Sequence, residues 1–348
     1  MAYTTINKST DYFRTKLYTG NGSSRSITFD ENTNMKPDFS WIKKRSASGD
    51  NLLFDAVRGV QKNLPSNSAG EEYTLSSGLT AFNTNGYSIG TDGDINANST
   101  TYASWNWKAN GQGSSNTAGS INTSYTSVNT TAGFSISKYT GTGSAATVGH
   151  GLGAVPKMFI IKDLTSSNDW QVYHNASGNN NKLHINNTNA ATGTNNFATT
   201  TPTSSVFSIS QGGQVNTSNS NYIALSFAEK IGYSKFGSYK GNGNADGAFI
   251  YTGFKPTFVM TKRSDNSTGG NWQLYDNKRL GYNSASRYVN PNLNNAEDGS
   301  SNNLMDIYSN GFKLRSANQN ININNGSYIY MAFGQSLVGT NNVPCTAR

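Results

Sequence analysis

Five short blocks of this sequence recur three times in the same order, and this internal repeat constrains the fold more than any other feature. The first block begins at Tyr18, Tyr139 and Tyr239, and each tyrosine is followed by Thr or Lys and then by Gly-x-Gly. The other four blocks are apolar-rich runs. The second block lies at 36–43, 155–162 and 255–262, and the third lies at 51–55, 170–174 and 272–276. The fourth block lies at 86–89, 206–209 and 311–314, and the fifth lies at 102–107, 222–227 and 328–333. A single match would be weak evidence for a repeat, but fifteen segments in a fixed order indicate a triplicated chain.

The repeat unit is about 100 residues long, which is too long for a solenoid repeat and long enough for a core of its own. We therefore predict three tandem domains, over 1–108, 133–230 and 231–348. The segment 109–132 is uncharged and rich in Gly, Ser, Asn and Thr, which predicts a flexible linker. No such segment separates the second unit from the third, so these two are expected to form the stiffer pair.

The fold class follows from residue spacing and composition. Asn, Ser, Thr and Gly supply 165 of the 348 residues, whereas aromatic residues still make up 11%. This composition disfavours both a helical protein and a disordered chain. Apolar and polar residues alternate within the blocks, and Asn-Gly turn signals such as Asn85-Gly86 and Asn310-Gly311 separate them. We predict an all-β chain of three antiparallel β-sandwiches, either immunoglobulin-like or jelly-roll-like.

The same alternation predicts core residues and cross-strand pairs. Phe39, Trp41, Met158, Ile160, Phe258 and Met260 occupy one phase of the second block and are expected in the core. That block ends in a lysine in each unit, at Lys43, Lys162 and Lys262. A further polar residue follows 12 to 14 residues later, at Asp55, His174 and Asp276. We predict that Lys43 faces Asp55 and that Lys262 faces Asp276 across a hairpin, as a structural pair at the sheet margin. A ligand-binding charge is the alternative.

Several functional classes are disfavoured by the sequence. There is no apolar run long enough to span a membrane, and the first residues lack the apolar core of a secretory signal. Cys345 is the single cysteine, which excludes an intrachain disulfide and a cysteine zinc site. The net charge is +8, but Lys and Arg are scattered, so we predict neither nucleic-acid binding nor membrane insertion.

Residues typical of catalysis form no recognisable constellation. His174 and His184 could share a site with Asp169, but no metal-ligand spacing is present, and His150 stands in a glycine-rich turn without the lysine of a phosphate loop. The run that begins at Asp92 resembles the start of a calcium loop, but it lacks the glycine and the final glutamate. We therefore predict no catalytic, metal or cofactor-binding residues, no cofactor and no enzymatic activity, and the sequence identifies no ligand-binding residue.

The motifs carry a resemblance that covers nearly the whole chain. Tyr-Thr-Gly-Asn-Gly at 18–22, Lys-Pro-Asp-Phe-x-Trp-Ile-Lys at 36–43, Gly-Tyr-Ser-Lys-Phe-Gly-Ser-Tyr-x-Gly-Asn-Gly at 232–243, the closing Val-Pro-Cys-Thr-Ala-Arg and the opening thirteen residues resemble a repeated β-domain family of marine, cyanophage-like bacteriophage virion and tail proteins. This resemblance implies a virion protein that is assembled in the host cytoplasm. It carries over no catalytic residue.

The expected function is therefore structural. We expect a tail-associated protein, in a fibre or appendage, with a role in assembly or host-surface adhesion. The alternatives are a capsid-surface decoration protein and a tail depolymerase that acts on host polysaccharide. Expected partners are other virion proteins, further copies of the chain and a host surface glycan, the last of these contacted through polar loops at 175–196 and 284–303.

Overall fold

The computed structural model describes residues 4–268, 270–279, 283, 287–298, 304–336 and 338. The chain is 43% strand and 3% helical, which confirms the all-β prediction. Over the described residues the strands form six open sheets, and every strand pair within them is antiparallel. No helix in this part of the chain is long and apolar enough to cross a membrane.

The first unit contains nine strands and one short helix. The strands are β1 Phe13–Thr19, β2 Arg25–Ile27, β3 Phe39–Lys44, β4 Asn51–Asp55, β5 Lys62–Pro65, β6 Tyr73–Thr74, β7 Leu79–Asn83, β8 Gly86–Ile89 and β9 Thr101–Trp107. Helix α1 spans Gly93–Asn96, and a 3-10 turn at Ser9–Asp11 precedes β1. A six-stranded sheet has the order β1-β9-β3-β4-β5-β6, and a small sheet has the order β2-β8-β7.

The second and third units repeat this arrangement. The second contains β10 Tyr125–Asn129, β11 Phe134–Thr140, β12 Ala146–Gly149, β13 Pro156–Asp163, β14 Gln171–His174, β15 Asn181–His184, β16 Thr192–Gly193, β17 Val206–Ile209 and β18 Asn221–Ala228, with a 3-10 turn at Asn175–Ser177. The third contains β19 Ser234–Lys240, β20 Phe249–Tyr251, β21 Phe254–Arg263, β22 Gln273–Asp276, β23 Met305–Tyr308, β24 Gly311–Leu314 and β25 Ser327–Ser336.

Strand order is shared by the three large sheets. The order is β1-β9-β3-β4 in the first unit, β11-β18-β13-β14 in the second and β19-β25-β21-β22 in the third. In each unit the last strand therefore lies between the strand that carries the first block and the strand that carries the second block. The small sheets also correspond, with the orders β2-β8-β7, β12-β17 and β20-β24-β23.

A single central core joins the three large sheets. All six predicted core residues are buried in it, which confirms the predicted phase of the second block. The core also contains Phe13, Trp105, Trp107, Phe134, Phe227 and Phe333, which come from all three units. The Trp107 ring lies 4.8 to 6.5 Å, centroid to centroid, from six phenylalanine rings of the three units. Tertiary contact between the units is therefore concentrated on aromatic side chains.

The large sheets are buried on both faces, whereas alternation predicts strands buried on one face. Ile42 and Tyr102 point away from the central core and pack with Tyr87 of the small sheet. Corresponding clusters lie between the large and small sheets of the second and third units. The polar positions of the alternating pattern, such as Ser40, are buried as well, and the Ser40 hydroxyl donates to Asn106 Oδ1 at 2.7 Å.

The segment 109–132, for which the composition predicts a flexible linker, is structured. It contains β10, and Ile121 is buried against Val148 in the core of the second unit. The Ile121 N–H donates to Thr147 O at 3.0 Å, so the segment runs along the edge of β12. Composition did not reveal this because the stabilising groups are backbone amides and small hydroxyls rather than large apolar side chains.

Candidate functional site

The three repeated lysines do not face the predicted acids. In the β3–β4 hairpin Phe39 pairs with Asp55, and Lys43 pairs with Asn51. In the β21–β22 hairpin Phe258 pairs with Asp276. The prediction of Lys43–Asp55 and Lys262–Asp276 pairs is therefore wrong. The reason is antiparallel geometry, because the lysines lie beside the hairpin turn and the acids lie at the opposite end of the following strand.

Each lysine ammonium is buried and donates to backbone carbonyls near its own hairpin turn. Lys43 Nζ also contacts Asn294 O of the third unit at 3.1 Å. Lys262 Nζ contacts Thr188 O of the second unit at 3.1 Å. Lys162 Nζ donates to Asp163 O at 2.7 Å and to Ser166 O at 3.4 Å. The lysines therefore hold hairpin turns, and two of them bind a neighbouring unit.

A second set of contacts between units occurs at the start of β4, β14 and β22. Trp170 Nε1 donates to Pro65 O at 3.1 Å, and Trp272 Nε1 donates to His184 O at 2.8 Å. In the first unit Asn51 Nδ2 donates to Asn290 O at 3.1 Å. Sequence analysis missed this role, although the two tryptophans at matching positions in the third block were a usable signal.

Backbone hydrogen bonds repeat the same connections. The N–H groups of Glu72, Ala191 and Glu297 donate at 2.8 to 3.1 Å to carbonyls of another unit, namely those of Leu164, Ser264 and Arg45. The first unit thus contacts the third, the second contacts the first, and the third contacts the second. We call this closed set of backbone and side-chain contacts the inter-unit ring.

Asp55 and Asp276 organise equivalent ion clusters. Asp276 accepts from Arg279 Nε at 2.8 Å and from Trp105 Nε1 of the first unit at 3.0 Å. Arg279 also contacts Glu297 at 3.4 Å. In the first unit Asp55 pairs with Arg58, whose guanidinium also contacts Glu72. These carboxylates therefore serve as ion-pair partners of buried arginines.

Glu297 connects its ion cluster to the first unit. Burial by itself would raise the pKa of Glu297, but the guanidinium groups of Arg45, Arg279 and Arg287 together lower that pKa. Arg45 Nε donates to Glu297 Oε2 at 2.8 Å. The carboxylate is therefore charged at neutral pH and serves the contact between the first and third units.

The histidines take structural positions. His174 Nε2 lies 3.1 Å from Tyr330 O of the third unit, and burial lowers the pKa of His174 to about 4. His150 Nδ1 accepts from the Leu152 N–H. His184 Nδ1 lies 3.6 Å from Asp169, so the structure brings these two residues together and leaves His174 apart. Burial lowers the pKa of His184 as well.

The acidic run that begins at Asp92 has a structural role. The carboxylate of Asp92 accepts from the Asp94 N–H and caps α1. Among the described residues no three His, Cys, Asp or Glu side chains cluster in a way that could hold a metal ion. Cys345 and part of the predicted 284–303 loop lie outside the described residues. The predicted 175–196 loop contains β15 and β16, and Leu183 enters the central core.

Three depressions on the described part of the surface are small or uncharged. A cavity of 170 Å³ lies between the first and third units and is lined by Arg14, Glu31 and Lys278 among others. Glu31 lies 3.3 Å from Arg14 and 3.8 Å from Lys278, so this acid is already paired. Depressions of 390 and 350 Å³ are lined by Ser, Thr, Asn, Ala, Val and Ile. Neither of these two supplies a pair of carboxylates for glycoside hydrolysis.

The fold and its contacts define an all-β protein in which some of the repeated polar residues connect structural units. The sequence profile described as Domain of unknown function (DUF7483) matches residues 8–336, and the chain belongs to that family. One profile match thus spans all three units and the segment between the first two. No curated protein matches the chain.

The buried lysines predict a pH dependence of stability. Burial lowers the pKa of Lys43 and Lys162 to about 8 and that of Lys262 to about 7. An unfolded lysine keeps its proton up to a pH of about 10.4, so the unfolded chain binds more protons between these values. The free energy of unfolding should therefore rise with pH from about 7 to 9, by at most ~1.4 kcal/mol per pH unit for each lysine.

Urea unfolding at pH 6 to 9 measures this dependence. We expect Lys262→Met to reduce the slope of the unfolding free energy against pH, because one titrating ammonium is removed. Lys240→Met, an exposed position on β19, is the matched control and should leave the slope unchanged. A wild-type profile that is flat or falls between pH 7 and 9 would contradict the expectation.

Proposed function

We propose that the chain is a non-enzymatic structural protein of a bacteriophage virion, located in the tail, with a role in assembly or host-surface adhesion. This proposal rests on where the repeated polar residues lie and on what they contact. Lys43, Lys162 and Lys262 are buried and bind backbone carbonyls, and Asp55 and Asp276 are held by arginines. The repeated polar residues therefore make structural contacts, and Lys43, Lys262 and Asp276 join one unit to another. The resemblance to phage virion proteins supplies the location.

We further propose that each unit is a β-sandwich, with the large sheet packed on the small sheet of the same unit. The three sandwiches then form a trimer within one chain, which the inter-unit ring closes around the aromatic core. The matching strand orders and the three peripheral clusters support this description. Such an arrangement suits a rigid module of a particle, because every unit is held by both of the others.

Copy number on the particle tests the location. Quantitative mass spectrometry of purified virions, with the major capsid protein as internal standard, should give on the order of three to twelve chains per particle, as expected for closed tail symmetries. Immunogold labelling should mark the tail. Hundreds of copies would instead support capsid decoration, and absence from purified virions would overturn the virion proposal.

The absence of hydrolysis is a separate prediction. Purified protein incubated with host envelope polysaccharide should release no oligosaccharide above a buffer blank, as measured by reducing ends and by size-exclusion chromatography. Glu31→Gln is the matched variant, because Glu31 is the acid that lines the cavity between the first and third units. Turnover by the wild-type chain that Glu31→Gln abolishes would establish a depolymerase and contradict the proposal.

A further inference from the structure

An aromatic cluster lies exposed on the small sheet of the third unit. Phe249 and Tyr251 on β20 are 45% and 53% exposed, whereas Ile250 between them is buried. Tyr308 on β23 lies on the same face, and its ring centroid is 6.0 Å from that of Phe249 in an edge-to-face arrangement. We call these three side chains the aromatic face.

A glycine forms the floor of this face. Gly311 on β24 pairs with Tyr251 on one side and with Tyr308 on the other. A Cβ atom at Gly311 would lie 2.8 Å from Phe249 Cζ, so the phenylalanine ring leans over the glycine. The rings thus cover Gly311, which is buried beneath them.

The other two units lack these rings. Ile27 pairs with Tyr87 as Ile250 pairs with Phe312, which aligns Ser26 and Thr28 with Phe249 and Tyr251. In the second unit the matching residues are Thr147 and Gly149, and the segment before β10 runs along that edge. The exposed aromatics are therefore not required by the repeated fold. Their exposure leaves them available to contact a ligand.

Charged residues surround the aromatic face. Asp246 contacts Lys313 at 2.9 Å and Arg315 at 3.5 Å, and Arg315 also contacts Asp306 at 3.1 Å. The Lys235 ammonium lies 5.4 Å from the centre of the Tyr251 ring. Three cations thus accompany two carboxylates, which leaves the rim with one net positive charge.

The size of the face argues against a protein partner. A fully buried Phe or Tyr covers about 150–250 Å², so the exposed parts of Phe249 and Tyr251 offer roughly 200 Å². A stable protein interface needs about 800 Å² on each partner. Exposed aromatic surface of this extent matches one or two pyranose rings, whose C–H faces stack on aromatic rings while their hydroxyl groups reach polar neighbours.

We propose that the aromatic face binds an acidic oligosaccharide, with a pyranose stacked on Phe249 and Tyr251 and an anionic group directed to Lys235. This proposal specifies the ligand class for the adhesion role and so rests on the proposed function. Its test uses purified protein, however, and does not depend on the copy number in the virion. A negative binding result would not contradict the proposed location in the virion.

The experiment screens an array of defined neutral and uronic-acid oligosaccharides. Titration calorimetry then measures the affinity of the best binder. The double variant Phe249→Ser and Tyr251→Thr introduces the residues of the first unit and should weaken binding at least tenfold while preserving the fold. Phe249→Tyr keeps the ring and should bind within about twofold of wild type. Thr28→Ala, at the matching position of the first unit, should leave binding unchanged.

Four results would overturn the proposal. They are binding to no oligosaccharide on the array, binding to neutral oligosaccharides only, binding that survives the double variant, and capture of another virion protein that the double variant abolishes. The last of these would assign the face to a protein partner. Circular dichroism of each variant verifies that lost binding reflects lost rings rather than an unfolded chain.

Discussion

Replacement of Trp107 by alanine is expected to lower the free energy of unfolding by about 3–5 kcal/mol, the range typical of large aromatic deletions in cores. Trp107 is 1% exposed, and its ring contacts phenylalanines of all three units. The cavity left behind would open where the three large sheets meet, and no single unit can relax to fill it. Urea unfolding followed by circular dichroism measures the change.

The same experiment tests whether the three units unfold together. Because they share one core and the inter-unit ring, we expect one cooperative transition for the wild-type chain, with calorimetric and van't Hoff enthalpies that agree. Ile231→Ala is the control, since Ile231 is 66% exposed, and should cost less than about 0.5 kcal/mol. Separate transitions for the units, or a cost for Trp107→Ala similar to that of the control, would contradict a shared core.

Local features of the fold could be predicted from the sequence. The phase of Trp41, Met158 and Phe258 follows from alternation, because successive side chains on a strand point to opposite faces. The same rule cannot show that both faces are buried. That depends on which sheet covers each face, and Ser40 is buried although its residue type suggests solvent.

Association of the units could not be read from the sequence in the same way. The acceptors of Lys43, Trp170 and Trp272 are backbone carbonyls, and every residue carries one. No residue type therefore marks the partner, and spacing alone cannot reveal which unit supplies it. The aromatic face was missed for a related reason, because Phe249 and Tyr251 look like ordinary strand residues until the register shows Ser26 and Thr28 at the matching positions.

The second unit offers a natural comparison for the ion clusters. His174 occupies the place of Asp55 and Asp276, and its ring bonds to Tyr330 O instead of to an arginine. Neutral hydrogen bonding is thus sufficient at this position of the fold. The acids of the first and third units are needed because Arg58 and Arg279 are buried beside them.

Asp276→Ala should consequently lower the free energy of unfolding by about 3–5 kcal/mol, because it leaves the buried Arg279 guanidinium without its nearest carboxylate. Asp30→Ala, a change at an exposed acid paired with Lys16, is the control and should cost less than about 1 kcal/mol. Chemical denaturation at pH 7 measures both. A cost for Asp276→Ala no greater than that of the control would contradict a role for this ion pair in holding the fold.

A double-mutant cycle separates the Arg279 ion pair from the other contacts of Asp276, which are the Trp105 Nε1 bond and the bonds from the N–H groups of Lys278 and Arg279. Arg279→Met removes the charge but keeps an apolar stem, so the double variant should be more stable than the sum of the single changes predicts, by about 1–3 kcal/mol. The Trp105 Nε1 bond to Asp276 is lost in both Asp276 variants and cancels from the coupling energy. A coupling near zero would therefore show that Asp276 stabilises the chain through its bonds to Trp105 and to the local backbone rather than by neutralising Arg279.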